Sequence, residues 1–254
     1  MPESRAGRKA GRRRQRFRKR RKCPFRKLRR RQRAVQVRCF NRRVMCEAAR
    51  VSIRIVHLIE SQAPVAAAVL ARAFHDDPLM VYTIPDPAER ARLLPDVYLR
   101  MVRFGLLAGE VFTTEGSPYG VALWLAPNAQ WTRENMQASG MHEIARVIGD
   151  DAYRRYREVV SREWQVRERD MADPCWYLFL LGVEPSRQRL GIGRSMMQPV
   201  LERANAERVP CYLETENERN VAFYKRQGFD LVVNGEQAGA SGVRFWTFRR
   251  SPLP

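Results

Sequence analysis

Beyond residue 50, apolar and polar positions alternate between two periods, one of strands and one of helices. VSIRIVHLI (51–59) alternates and is rich in β-branched residues, so it predicts a strand. APVAAAVLARAF (63–74) predicts a helix with Ser61 as its N-cap. HDDPLMVYTIPD (75–86) is punctuated by proline and predicts a turn with one short helical piece. AERARLLPDVYLRMVRFGLLAG (88–109) is amphipathic and predicts a long helix ending near Gly109. EVFTTEG (110–116) and YGVALWLAP (119–127) predict a hairpin around Ser117-Pro118. Residues 131–171 are charge-rich and helical. Met141, Ile144, Val147 and Ile148 recur at helical spacing there, followed by Tyr153, Tyr156, Val160 and Trp164. CWYLFLLGV (175–183) is a continuous apolar run, which suits a strand buried on both faces. A helix over 191–208, a strand over 210–215, a helix over 218–227 and strands over 229–233 and 243–248 complete the order. Pro199, inside the helix 191–208, predicts a bend or a break.

This order predicts one α/β domain over about 51–250, with a mixed, mostly antiparallel sheet flanked by helices. Residues 128–171 form a helical segment within it. No run approaches the roughly 18–20 apolar residues of a membrane span. The N-terminus has no apolar core of a secretory signal. Five scattered cysteines give neither a disulfide framework nor a zinc spacing, so free thiols in the cytoplasm are expected. The three histidines, His57, His75 and His142, are dispersed, and no metal is expected.

Charge changes the picture only at one end. Residues 1–46 hold 21 of the 47 Lys and Arg and one of the 27 acidic residues, Glu3, so the whole net charge of +20 sits there and 47–254 is neutral. Like charges this dense repel, and little apolar surface is available to order them, which predicts disorder. Three readings stand side by side: an arm for nucleic acid or another anionic surface, an organelle transit segment, and an upstream start outside the working protein. Met45 is the next methionine. Only Phe17, Phe25 and Phe40 are available for base stacking, which gives stacking weak support, and no nucleic-acid partner is expected except through this tail.

VEPSRQRLGIGRSMM (183–197) joins the long apolar run to a helix through a glycine-rich turn. A phosphate loop of the GxxxxGK[ST] kind fails, because Gly193 is followed by Arg194-Ser195 and the earlier glycine is missing. A dinucleotide GxGxxG fails at Met196, and too little chain follows for a second nucleotide-binding half. The pattern [RQ]xxGx[GA] is satisfied by Gln188, Arg189, Leu190, Gly191, Ile192 and Gly193. Glycines there let the backbone approach closely, and successive N–H groups at a helix start point at a pyrophosphate.

YLFLLGVEPSRQRLGIGRSMMQPVLERA, followed by CYLETENERNVAFYKRQGF, resembles the coenzyme A-binding core of the GNAT superfamily of N-acetyltransferases. The LET at a strand end, the N-x-x-F-Y of the next helix and the closing G-F resemble puromycin N-acetyltransferase-like members in particular. The strong likeness covers about 175–235. A weaker one covers RAFHDDPLMVYTIPD and ALWLAP, and the basic tail has no counterpart.

The resemblance implies direct acetyl transfer from acetyl-CoA, as co-substrate, to an amine. It implies backbone contacts to the coenzyme from Leu181 and Val183, with Gly182 marking a local irregularity. Pyrophosphate contacts fall to the N–H groups of 188–194, with charge from Arg189 and Arg194. Asn220 becomes a contact to the pantetheine arm and shares a helix face with Tyr224, the expected acid for the departing thiolate. Glu214, in the LET, becomes the expected base, with Glu216 or a water relay as alternatives. A base role for Glu214 requires burial to raise its pKa. Cys175 and Cys211 open apolar strands with no histidine nearby, which reads as buried inert thiol. The expected acceptor is a small amine with an aromatic or apolar part, met by the loops of 128–171. A protein or peptide amine is the alternative, as is a role in nucleic-acid association through the tail. No membrane partner is expected, and the chain is read as a monomer or homodimer.

Overall fold

The computed structural model describes residues 53–129, 131–171 and 174–253, which form one compact unit. The basic segment 1–46 lies outside them. A seven-stranded sheet carries the fold: β1 (Ile55–His57), β2 (Gly109–Thr114), β3 (Gly120–Leu125), β4 (Trp176–Val183), β5 (Cys211–Thr215), β6 (Asp230–Gln237) and β7 (Arg244–Arg250). The strand order is β1-β2-β3-β4-β5-β7-β6, antiparallel everywhere except between β4 and β5. The mixed, mostly antiparallel sheet expected from the sequence is therefore present.

Helices cover both faces. One face carries α1 (Ala63–Ala73), α2 (Pro78–Thr83), α3 (Pro87–Ala108), α5 (Ile144–Ile148) and α6 (Asp150–Asp170) over a core that includes Leu70, Leu94, Phe104, Leu123, Tyr177 and Phe245. The short α4 (Arg133–Ala138) precedes α5. The other face carries α7 (Ile192–Glu207) and α8 (Val221–Arg226) over Trp124, Trp176, Met196, Leu213 and Phe248.

Local chemistry explains the starts of α2 and α3. Asp77 and Asp86 accept from Leu79 N (3.1 Å) and Glu89 N (2.7 Å), and Pro78 and Pro87 stand where a free N–H is not needed. Buried Arg90 donates to the carbonyls of His75, Ile84 and Pro85 at 2.7–2.9 Å, fixing the loop that holds Asp77.

Four expectations need correction. Ser61 does not cap α1; a 3-10 turn, Glu60–Gln62, leads in, and Pro64 stands in the first turn instead. The first strand is only Ile55–His57, because it pairs with β2 over three residues at the sheet edge. Pro199 does not break α7, which runs unbroken to Glu207. Ile192, Met196, Met197, Val200, Leu201 and Ala204 are buried on the sheet side of both halves, and this packing outweighs the lost bond. The buried stripe of α6 is Ala152, Val159, Glu163 and Val166, rotated from the Tyr153-to-Trp164 face that the spacing suggested, and Trp164 is left 39% exposed.

Candidate active site

The parallel strands β4 and β5 pair only at Trp176↔Cys211 and Tyr177↔Tyr212, and then part. Past that point β4 keeps β3 on one side and has an open edge on the other. The β3–β4 register slips between Leu123↔Leu180 and Trp124↔Leu178, so Phe179 is the extra residue of a β-bulge. The irregularity lies there and not at Gly182. Gly182 instead allows close packing: a Cβ on it would lie 2.7 Å from Leu70 Cδ2.

The bulge resets the strand's alternation. Phe179 and Leu180 both pack toward the α1–α3 face, and Leu181 and Val183 then face α7 and α8. Because Glu184 N donates to Tyr119 O just before β3 (2.9 Å), alternation turns the N–H groups of Leu181 and Val183 to the open edge.

The glycine turn follows. Gln188 donates its side-chain amide to Val183 O (3.2 Å), which folds the turn back on the strand. Arg189 and Gly191 take positive φ (63° and 87°), and Gly191 caps α7. The first helical bond runs from Ser195 N to Gly191 O (3.0 Å). The N–H groups of Ile192, Gly193 and Arg194 thus emerge from the helix start without helical acceptors. Arg189, Leu190 and Arg194 are exposed, whereas the Ile192 side chain is buried in the core. A Cβ on Gly193 would sit 3.6–4.0 Å from Phe223, Val183 and Leu181, so the glycine keeps that corner open between strand and helix.

Beyond β5, Asn217 caps a 3-10 turn by accepting from Arg219 N (3.1 Å), and α8 starts after Asn220. Asn220 donates its amide to Thr215 Oγ1 (3.0 Å), tying the helix start to the end of β5. Tyr224 is 6% exposed and packs edge-on against Phe223 and Phe229 and tilted against Phe248. Burial first, and then the carboxylates of Glu216, Asp77 and Glu214, hold its phenol protonated far above the usual range.

Glu214 is not the surface carboxylate that a strand end usually carries. Tyr177 donates its hydroxyl to Oε1, and Oε2 is shielded with no hydrogen-bond partner. Burial pushes the Glu214 carboxyl up to about 7, against the opposing pull of the Tyr177 hydroxyl and Arg167. The Arg167 guanidinium lies 4.0 Å from the centre of the Tyr177 ring.

Further acids converge on the same place. Glu163 of α6 is 4% exposed and faces Glu216 closely enough to share a proton, with Glu214 and Asp77 also near. Burial, then Glu216, raises the Glu163 carboxyl well above its ordinary range, and the same two causes raise Asp77. Beside the bulge, Trp131 meets Phe104, Trp164 and the bulge residue Phe179 at ring distances of 4.4, 5.9 and 5.6 Å. Cys175 and Cys211 are buried free thiols; burial raises both, Cys211 to about 12. Neither has the character of a nucleophile.

The structure thus gathers Leu181, Val183, the 188–194 turn, Glu214, Asn220 and Tyr224 around one gap. Tyr177, Glu163, Asp77 and Arg167 were not singled out from sequence. Glu163 was legible in principle, as the one charged residue in the stripe of Ala152, Val159 and Val166. Tyr177 was hidden in an unbroken apolar run.

Residues 159–229 match the acetyltransferase (GNAT) family model. An uncharacterized N-acetyltransferase of Schizosaccharomyces pombe is 28% identical over 173 residues, 65% of this chain and 69% of that protein. A 5-NmdU N-acetyltransferase of Pseudomonas phage PaMx11 is 31% identical over 78 residues, 31% of this chain and 54% of that protein. The fold is shared with a histone acetyltransferase HPA2-related acetyltransferase of Corynebacterium glutamicum (TM-score 0.56, 21% identity, 80% of this chain and 98% of that one). It is shared too with a polyamine N-acetyltransferase of Drosophila melanogaster (TM-score 0.52, 17% identity, 79% and 100%). Residues 159–229 thus carry the sequence pattern of the acetyltransferase (GNAT) family, the relatives that the chain resembles are N-acetyltransferases, and its fold is the one seen in acetyltransferase structures.

Proposed function

We propose that the protein transfers an acetyl group from acetyl-CoA to the amine of a small-molecule acceptor, with both bound at once. The observation that carries this reading is the parting of β4 and β5, with a shielded carboxyl on one side and a buried phenol on the other. The free N–H groups at the start of α7 suit a pyrophosphate, and the corner kept open by Gly193 suits the narrow pantetheine arm. Leu181 and Val183 offer N–H groups along the strand edge, and Arg189 and Arg194 add charge at the turn. Asn220 contributes chiefly by fixing α8 through Thr215. Acetyl-CoA, when bound, supplies a thioester-activated acetyl group.

Glu214 takes a proton from the acceptor ammonium, so that a neutral nitrogen attacks. Its lifted pKa suits that task near neutral pH, and Tyr177 holds the carboxyl in place. As the new C–N bond forms and the C–S bond breaks, Tyr224 donates its proton to the departing sulfur, and the second proton shed by the new amide nitrogen returns to the Tyr224 oxygen. The inert thiols of Cys175 and Cys211 support direct transfer over a covalent relay.

Structures of this fold are named for acceptors as different as a histone and a polyamine, so the acceptor is argued from the walls of the gap. Their enclosure by α2, α3 and α6 and the rings of Tyr98, Tyr156 and Trp131 favour a small amine with an apolar part over a peptide. The LET, N-x-x-F-Y and G-F likeness to puromycin N-acetyltransferase-like enzymes makes aminonucleosides one class to try.

The test is release of free thiol from acetyl-CoA by the full chain, with aminonucleosides, polyamines, amino acids and peptides as acceptors. Tyr224→Phe is expected to lower kcat by about tenfold or more, with little change in KM for acetyl-CoA. Wild-type turnover in that variant would remove Tyr224 from the mechanism, and transfer to peptides alone would remove the small-molecule acceptor.

A further inference from the structure

Arginine balances many of the half-buried acids of this chain. Glu184 is held by Arg72, Glu236 by Arg162, and Glu143 by Arg100 and Arg146. The acids in the gap are not balanced in this way, although Glu163 is buried. Among the described residues, neither Glu163 nor Glu216 takes part in a salt bridge, and Glu163 Oε1 is buried with no hydrogen-bond partner. Asp77 accepts only from its own helix start. Arg167 stacks on Tyr177 at the Glu214 end, and Arg90 is taken up by the carbonyls of the loop that holds Asp77.

An unpaired buried carboxyl is costly, and an apolar residue of similar size would give a more stable fold. Glu214 accounts for one acid, as the base. Glu163, Glu216 and Asp77 remain, brought together by α6, the end of β5 and the loop before α2. The phenols of Tyr98, Tyr156 and Tyr224 are held protonated by burial first and then by these acids, which lie close to them. Among the described residues, no salt bridge reaches Glu163, Glu216 or Asp77.

Resting on the transfer reading above, we infer that the acceptor is a dication: one ammonium reacts at Glu214, and a second positive group is seated against Glu163 and Glu216. Glu163 is then a specificity residue, and it has no part in the proton transfers of the reaction itself. In the free protein, the Glu163 carboxyl keeps a proton. A cationic group entering beside it displaces that proton and leaves a paired carboxylate.

The probes are α,ω-diaminoalkanes, each set against the monoamine of the same chain length, with the full chain and acetyl-CoA. The best diamine is expected to exceed its monoamine in kcat/KM by about tenfold or more, and Glu163→Gln to reduce that ratio to within about twofold. Titration calorimetry of the wild-type chain in two buffers of different ionisation enthalpy is expected to show about one proton released per diamine bound. Equal kcat/KM for diamine and monoamine, or a Glu163→Gln variant that retains the wild-type ratio, overturns the inference. If no amine releases thiol but diamines bind with proton release, the transfer reading falls and the cation site stands. If monoamines are acetylated and diamines gain nothing, the transfer reading stands and the cation site falls.

Discussion

The Glu214 carboxyl lies between opposing influences. Removal from water favours its protonated form, while the Tyr177 hydroxyl and the Arg167 guanidinium favour the charged one. Desolvation wins, and the pKa near 7 leaves base and conjugate acid both populated at neutral pH. Activity that depends on ionised Glu214 should therefore rise with pH through about 7. A weakly basic acceptor, itself neutral across that range, gives the clean measurement of kcat/KM. Glu214→Gln is expected to lose about a hundredfold in kcat and to flatten the profile. A profile in the variant that still rises near pH 7 would assign the titration elsewhere. Tyr224 has the complementary character: its phenol stays protonated across the same range, as a proton donor must.

At the scale of elements, the bulge on β4 does the positioning. One extra residue at Phe179 shifts the alternation, so that Leu181 and Val183 meet Gly193 and Phe223 instead of α1. The same strand carries Tyr177 on the opposite face, against Glu214. Gly182 lets α1 lie directly on the strand just past the bulge. Gly182→Ala places a Cβ against Leu70 and Ala73, and is expected to cost about 1–3 kcal/mol, read as a lower urea midpoint. An unchanged midpoint would mean that α1 yields easily. The salt bridge from Arg72 of α1 to Glu184, at 2.6 Å, closes the same junction.

For the whole molecule, the buried acids set a pH dependence of stability. Glu214, Glu163 and Asp77 all hold their protons to higher pH when folded than when unfolded. The folded chain therefore binds more protons above the ordinary carboxylate range, and stability falls as pH rises through that window. Tm is expected to drop between about pH 5 and about pH 8, and Glu163→Gln to shrink the drop. A Tm that climbs over that interval would show that these acids are ionised in the folded chain. The two layers of helices explain why such acids are tolerated: they lie where the sheet parts, between α6, α2 and α8, with an apolar cluster on each face of the sheet.

The sequence by itself determined the order of elements, the glycine turn and the pair Asn220 and Tyr224, because these depend on neighbours within a few residues. A turn needs glycine at positive φ, a helix start needs a cap, and residues four apart share a helix face. It also pointed to Glu214, through a short motif at a strand end. Only the tertiary structure decided where the β4 irregularity falls, since an unbroken apolar run gives no parity by which to locate a bulge. Continuity of α7 through Pro199 was likewise a matter of packing against the sheet, which local propensity does not contain. The lifted pKa of Glu214 and the meeting of Glu163, Glu216 and Asp77 depend on burial and on distances between residues far apart in the chain, and these are set only when the layers close.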